Sequence, residues 1–197
     1  MDSNQNEFFI GQIITIICNK EQIIVDKFKK NVVIWLNTKV QLEIPIVELK
    51  YGVKETYPQS VQEILNIFQN PVKAIVQTKT LKMHTFEDGQ HEIRQYQVSI
   101  KEYLKKQLEK VKIGDTYFCP ISSIAPWGLF VKIDGELIAL CHCTEVSKSI
   151  IYELDKCFKI GEMIKVTVIG KKHIQTIIVL LYLEEKLQFQ LNMNLEI

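Results

Sequence analysis

No charge of one sign prevails in this chain, and no apolar run in it is long. Its 24 basic and 23 acidic side chains leave a net charge of +1. The broad basic field that gathers polyanions is therefore missing, and any polyanion must be held by local clustering. The apolar stretch "TIIVLLYL" is strand-sized, well short of the roughly 18 residues of a membrane span. The opening "MDSNQNEFF" is polar and acidic and lacks the basic-then-apolar order of a secretory signal, so a cytoplasmic protein with no membrane partner is expected. Cysteine is sparse and odd in number, five in all, which argues for reduced thiols rather than a disulfide framework. Phosphate-cradling glycine loops are absent. The four histidines (84, 91, 142 and 173) are scattered without a Ser/His/Asp or Cys/His context, so neither catalysis nor a cofactor is expected.

What is present is isoleucine, valine, threonine and aromatics in short runs. "GQIITIIC", "EQIIVDKF", "NVVIWL", "KAIVQTKTLKM", "RQYQVSI", "GLFVKI", "ELIALC" and "MIKVTVI" are β-branched and separated by charged or turn-like breaks, as strands should be. Asp88-Gly89 marks a hairpin, since that pair supplies the positive φ of a tight turn. Helical periodicity is confined to "SVQEILNIF" (60–68) and the lysine-rich "KEYLKKQLEKVK" (101–112). The class is mostly β.

The halves repeat a pattern. Ile10-Gly11 and Ile113-Gly114 each open a strand run, and "IPIVEL" aligns with "CHCTEV" so that Glu48 matches Glu145. Each half reads as three strands, a short helix and two more strands, the order of the OB-fold, a small Greek-key barrel. Two tandem five-stranded barrels are expected, the first divergent, with a connecting helix. Their bounds are 7–104 and 111–186, followed by an additional strand at 187–197.

"PWGLFVKIDGELIALCHCTEV" (126–146) carries the chemistry. Cys141 and Cys143 in a strand point to one face and His142 to the other, so the three cannot converge on zinc without a bend. No second cysteine pair exists to complete a site, and C-x-C lacks the helix N-terminus that activates C-x-x-C thiols. The cysteines read as small core hydrophobes, leaving His142 toward solvent. Strict alternation puts Trp127 and Phe130 on opposite faces, but a bulge at Gly128 would bring both out beside His142. Aromatics in strands usually pack inward. Exposed, the same two rings beside an imidazole would form a stacking platform for unpaired bases.

Residues 111–183 resemble the S-one RNA-binding domain, the OB-fold repeat of bacterial ribosomal protein S-one and of polynucleotide phosphorylase. The resemblance rests on Ile113-Gly114, the Trp127-Gly128-Leu129-Phe130-Val131 motif, the turn Gly135, the His142-Cys143-Thr144-Glu145 segment, Gly161 and the Val166-Thr167-Val168 strand. It implies an RNA face made of Trp127, Phe130 and His142, with Lys132 and, in the last region, Lys171, Lys172 and His173. The family often places an Asp and a downstream Arg in that region; here Lys172 stands near the first and no arginine follows. The basic trio reads equally as a solvated turn.

The first half is similar to a worn copy of the same repeat. Val33 replaces the second aromatic and Pro45 the histidine, while Lys27, Lys29 and Lys30 read mainly as a solvated loop. The resemblance implies single-stranded RNA as partner and a protein-docking role for the first domain; the alternatives are a protein-docking adaptor on a ribosome or RNA machine with a vestigial RNA face, and single-stranded DNA binding. A place in translation or RNA handling follows from the same resemblance. The terminal "LQFQLNMNLEI" alternates strictly and is expected to cover an apolar surface of its own chain or to bind another.

Overall fold

In a computed structural model of the chain, the described residues are 7–26, 28, 30–49, 60–134, 137–146, 153–174 and 176–183, with the side chains of 61 and 172–183 excluded. The chain divides into two units, and the division falls between Tyr103 and Leu104.

In the first unit the β-branched runs form β1 (Ile13–Ile16), β2 (Ile23–Asp26), β3 (Asn31–Asn37) and β4 (Val40–Pro45). After α1 (Val61–Ile67) come the long β5 (Val72–Phe86) and β6 (Gly89–Ser99). Ser60 starts α1 by accepting a hydrogen bond from the Glu63 amide at 3.2 Å, the ordinary N-cap arrangement. The sheet order is β1-β5-β6-β4-β3-β2. Six strands replace the five expected, and the reason is local. The Asn19 amide donates to Gln22 Oε1 at 2.8 Å, and the Gln22 amide donates to the Asn19 carbonyl at 3.1 Å. This closed turn splits what would be one strand into β1, which pairs with β5, and β2, which pairs with β3. Ile14, Ile16, Val32, Ile34, Leu42, Ile44, Tyr96 and Val98 are buried inside.

A helix, α2 (Ile100–Lys110), follows β6. Its first turn is capped by Ser99, whose Oγ accepts from the Glu102 amide at 3.0 Å and donates to Glu48 Oε1 at 2.9 Å. The second unit contains β7 (Thr116–Ala125), β8 (Gly128–Ile133) and β9 (Leu137–His142). Two short helices, α3 (Cys143–Val146) and α4 (Leu154–Cys157), precede β10 (Met163–Ile174) and β11 (Thr176–Leu183). These strands close a barrel in the order β10-β11-β9-β8-β7. One half of β7 pairs with β10 and the other with β8, so this unbroken strand does the work of β1 and β2. Helix placement and strand order match the OB arrangement in both units. The chain is mostly β and consists of two curled OB-type sheets.

Alternation sorts the second barrel cleanly. Leu129, Val131 and Ile133 on β8 and Leu137, Ala139 and Cys141 on β9 all enter one core cluster with Val166 and Val168. Their strand neighbours Phe130 and Lys132, and His142, Leu140 and Ile138 opposite, therefore lie on the outer face. The β8–β9 ladder runs without interruption from Gly128–His142 to Ile133–Leu137, so the bulge expected at Gly128 is not there. The register shift falls on the preceding strand instead, between Ile121 and Ser123.

Gly128 has a different reason to be glycine. A Cβ built there would stand 2.6 Å from the Cys141 carbonyl oxygen and 2.7 Å from Leu140 Cδ1. Backbone cannot yield as a side chain does. Gly128→Ala should destabilise the second unit by about 1–3 kcal/mol in urea unfolding. Lys132→Ala, an exposed change on the same strand, should stay within about 0.5 kcal/mol of the parent.

Candidate nucleic-acid interface

The turn between β7 and β8 is only two residues long, Pro126 and Trp127, since Ala125 pairs directly with Gly128. Outside the ladder, Trp127 is released from strand alternation. Its ring swings to the outer face and meets Phe130 edge-to-face, with centroids 5.0 Å apart and planes at 86°. The Cys143 amide donates to the Trp127 carbonyl at 3.0 Å and pins the turn against the end of β9. Both aromatics thus share one side, as expected, but a tight turn achieves it rather than a bulge.

Their exposures differ. Trp127 is 48% exposed, whereas Phe130 is 6% exposed and lies outside the barrel's own core cluster. The expectation that Phe130 is an open stacking ring is corrected here. It supports the indole from beneath, and Trp127 presents the free surface. Phe130 pairs with Leu140, itself buried, and the Ser122 hydroxyl donates to the Phe130 carbonyl at 3.0 Å. Leu140 and Ser122 support this face, and residue type alone did not single them out.

His142 ends β9 opposite Gly128 and is half-buried. Its Nδ1 lies 2.9 Å from Thr144 Oγ1 and accepts from the Thr144 amide at 3.4 Å. An amide can only donate, so this contact fixes Nδ1 as the acceptor and leaves the proton on Nε2. Nε2–H is then the ring's available donor. Lys132 stands exposed on the same outer face, two residues beyond Phe130. Trp127, Phe130, Lys132 and His142 are therefore brought to one face.

Lys171 is not brought there. Lys171 Nζ donates to the carbonyls of Val111 at 2.6 Å and Leu108 at 3.2 Å. It satisfies backbone oxygens at the C-terminal end of α2, where a cation also suits the helix dipole. Its ammonium is engaged in structure, which corrects its placement in the interface. The reading of 171–173 as a turn is also corrected, because Lys171, Lys172 and His173 lie within β10 and pair with Val179, Ile178 and Ile177. The side chains of Lys172 and His173 lie outside the described residues, as does the 187–197 segment.

Cys141 is fully buried, and Cys143 packs partly buried against the same cluster from the first turn of α3. Among the described residues, no group of three or more His, Cys, Asp and Glu side chains is placed to hold a metal. Burial, aided by the Asp134 charge, pushes the Cys119 thiol up to about 11. It therefore keeps its proton at pH 9, where an unfolded thiol is mostly ionised. Maleimide labelling of Cys119 at pH 9 should track global unfolding, with native labelling at least tenfold slower than in urea. Separately, Lys171→Met should lower stability by about 1 kcal/mol through the lost cap and change nucleic-acid affinity less than twofold.

No family model matches the chain. Curated relatives do. A probable polyribonucleotide nucleotidyltransferase 1, chloroplastic, from Oryza sativa subsp. japonica is 31% identical over 123 residues, which is 59% of this chain and 14% of that protein. The polyribonucleotide nucleotidyltransferase of Thermosipho melanesiensis is 27% identical over 125 residues, 59% of this chain and 17% of its own length. The chain thus spans less than a fifth of these relatives. Among solved structures, the solution structure of GSP13 from Bacillus subtilis shares 21% identity with a TM-score of 0.32, covering 35% of this chain and 54% of that one.

Proposed function

We propose that this chain binds single-stranded RNA without catalysing a reaction, through the outer face of β8 and β9. The observation that carries this is the exposed Trp127 indole, braced by buried Phe130, on the face that also bears His142 and Lys132. A base needs a flat apolar surface to stack on and a donor at its edge. The indole supplies the first and Nε2 of His142 the second, with Lys132 in position for a phosphate.

Similarity to two polyribonucleotide nucleotidyltransferases over 123 and 125 residues supports a polyribonucleotide as ligand. The matched stretch is a small part of those enzymes, and we read it as the S-one type RNA-binding portion rather than the nucleotidyl-transferring portion. On this reading the chain is a tandem S-one protein of translation or RNA handling, and its second unit is the principal RNA contact.

Stacking of one base is worth roughly 1–3 kcal/mol, or about 5- to 150-fold in affinity. Trp127→Ala should weaken binding of a single-stranded RNA at least fivefold while leaving the unfolding midpoint nearly unchanged. Phe130→Ala should lower both, because that ring is buried. So balanced a surface neutralises few phosphates, so the salt dependence should reflect roughly two to four contacts. Filter binding of single-stranded RNA, single-stranded DNA and duplex at two salt concentrations checks all of this. A steep slope with an insensitive Trp127, or equal retention of duplex, would reject the site.

A further inference from the structure

The first unit carries aromatic rings in a place the repeat pattern does not predict. At the register positions of Phe130 and His142 it has Val33 and Pro45, so the second unit's platform has no copy there. A ring cluster stands elsewhere on the outer side of the sheet. β5 and β6 pair over a long hairpin that closes at the two-residue turn Glu87–Asp88, with His84 opposite His91 and Phe86 opposite Gly89. His84 and Phe86 are two apart and so share a face, and His91 joins them across the ladder. Ring centroids of His84 and Phe86 are 4.6 Å apart with planes tilted by 38°. Phe86 meets His91 at 5.7 Å and 60°. Trp35, near the end of β3, closes the group edge-on to His84 at 5.5 Å and to Phe86 at 6.0 Å.

The cluster is built rather than incidental. Ile93, opposite Lys82 and two residues from His91, is 1% exposed and gives the rings an apolar base. On the other face of the hairpin Leu81 and Met83 are 57% and 63% exposed, so no core covers that side. Above the apolar base, His84 is open to solvent, Trp35 and Phe86 are half-buried, and the His91 side chain is 42% exposed. Lys82 stands exposed next to His84 on the same face. Two nearby carboxylates are engaged: Asp88 Oδ1 is 3.0 Å from His91 Nε2, and Glu43 accepts from the Gln95 side-chain amide.

We propose that Trp35, His84 and Phe86, with Lys82, form a second stacking platform for single-stranded RNA on the first unit. The proposal rests on the chain binding RNA at all, and it gives the first unit nucleic acid in place of a docked protein. Partly open aromatic faces a few ångströms apart, two of them with imidazole neighbours and one with a flanking ammonium, suit unpaired bases and their phosphate better than an apolar protein anchor. A protein hot spot would want a desolvated pocket. This patch is an open shelf.

The chain has two tryptophans, one at each platform, so each can be read alone. In W127F the only indole is Trp35, and in W35F it is Trp127; phenylalanine keeps a ring at the altered position. The full chain is titrated with a mixed-sequence 24-nucleotide single-stranded RNA while tryptophan emission is followed. Saturable quenching is expected in both variants. Adding His84→Ala to W127F, a change at an exposed position, should weaken the Trp35 response about fivefold, the lower end of a single stacking contact. Quenching in W35F with a silent W127F would overturn the second platform and leave the RNA reading intact, with the cluster serving a protein or the hairpin's own packing. Silence in both would remove both. Quenching of Trp35 that His84→Ala does not alter would show an indirect effect and also overturn the proposal.

Discussion

At Gly128 two strands come closer than any side chain allows. The Cys141 carbonyl occupies the space a Cβ would take, and the ladder through that point holds β8 against β9 with no slip. Everything on the outer face follows from this contact. Because the pairing is unbroken, alternation is strict, and Phe130 and His142 must point outward while Leu129 and Cys141 point inward. Because β8 starts at Gly128, the turn before it holds only Pro126 and Trp127, and the indole is free to fold over Phe130. A glycine selected for close approach thereby sets the position of the most exposed aromatic at the site.

The pair of rings also divides two tasks that one residue could not perform. A fully exposed indole on a mobile turn would lose rotamer freedom on binding, at a cost that weakens stacking. Here the edge-to-face contact with a buried Phe130 and the Cys143–Trp127 backbone bond fix the turn beforehand. His142 is treated alike, since the Thr144 amide occupies Nδ1 and leaves one tautomer with its donor on Nε2. Preorganisation of this kind matters most where net charge contributes little long-range attraction.

Much of the fold was legible because strands advertise themselves. β-branched runs, a two-residue hairpin turn and one N-capped helix are local signals, and they located the elements and the strand–helix order of each half. The split of the first strand is visible as the separate runs "GQIITIIC" and "EQIIVDKF", but the five-strand order does not count them apart, because what makes the break is a side-chain to backbone closure at Asn19 and Gln22. At the candidate site, strand alternation in the sequence already turns His142 outward, and the structure brings Trp127 and Lys132 to that same face. Phe130 was read there too, but its burial was not, since residue type cannot say which of two stacked rings lies beneath. Lys171 looked like a phosphate contact because a lysine pair in a strand-to-turn region has no visible partner in sequence. Its partners, the carbonyls of Leu108 and Val111, lie about sixty residues away. The cluster of Trp35, His84, Phe86 and His91 was missed for a related reason. Its members come from one strand, β3, and the β5–β6 hairpin, and only the registers across the sheet assemble them.

The two units show how one barrel order can carry aromatics at different addresses. In the second, a tight turn before β8 delivers the indole. In the first, residues 27–30 lead into β3 between the paired Asp26 and Asn31 and carry a fully exposed Phe28, and Asn31 and Pro45 close the ladder where Gly128 and His142 stand in the other. Pro45 cannot donate a ladder hydrogen bond and carries no imidazole, so an aromatic at Val33 would lack the counterpart of His142. The long hairpin supplies a surface that the barrel itself does not. Extending β5 and β6 past the core adds a ladder whose outer face is free to be aromatic, because nothing in the barrel's interior constrains it. Degradation of the repeat's motif in the first unit therefore does not imply loss of a base-binding surface, since the strand register can rebuild one from residues that the motif never contained.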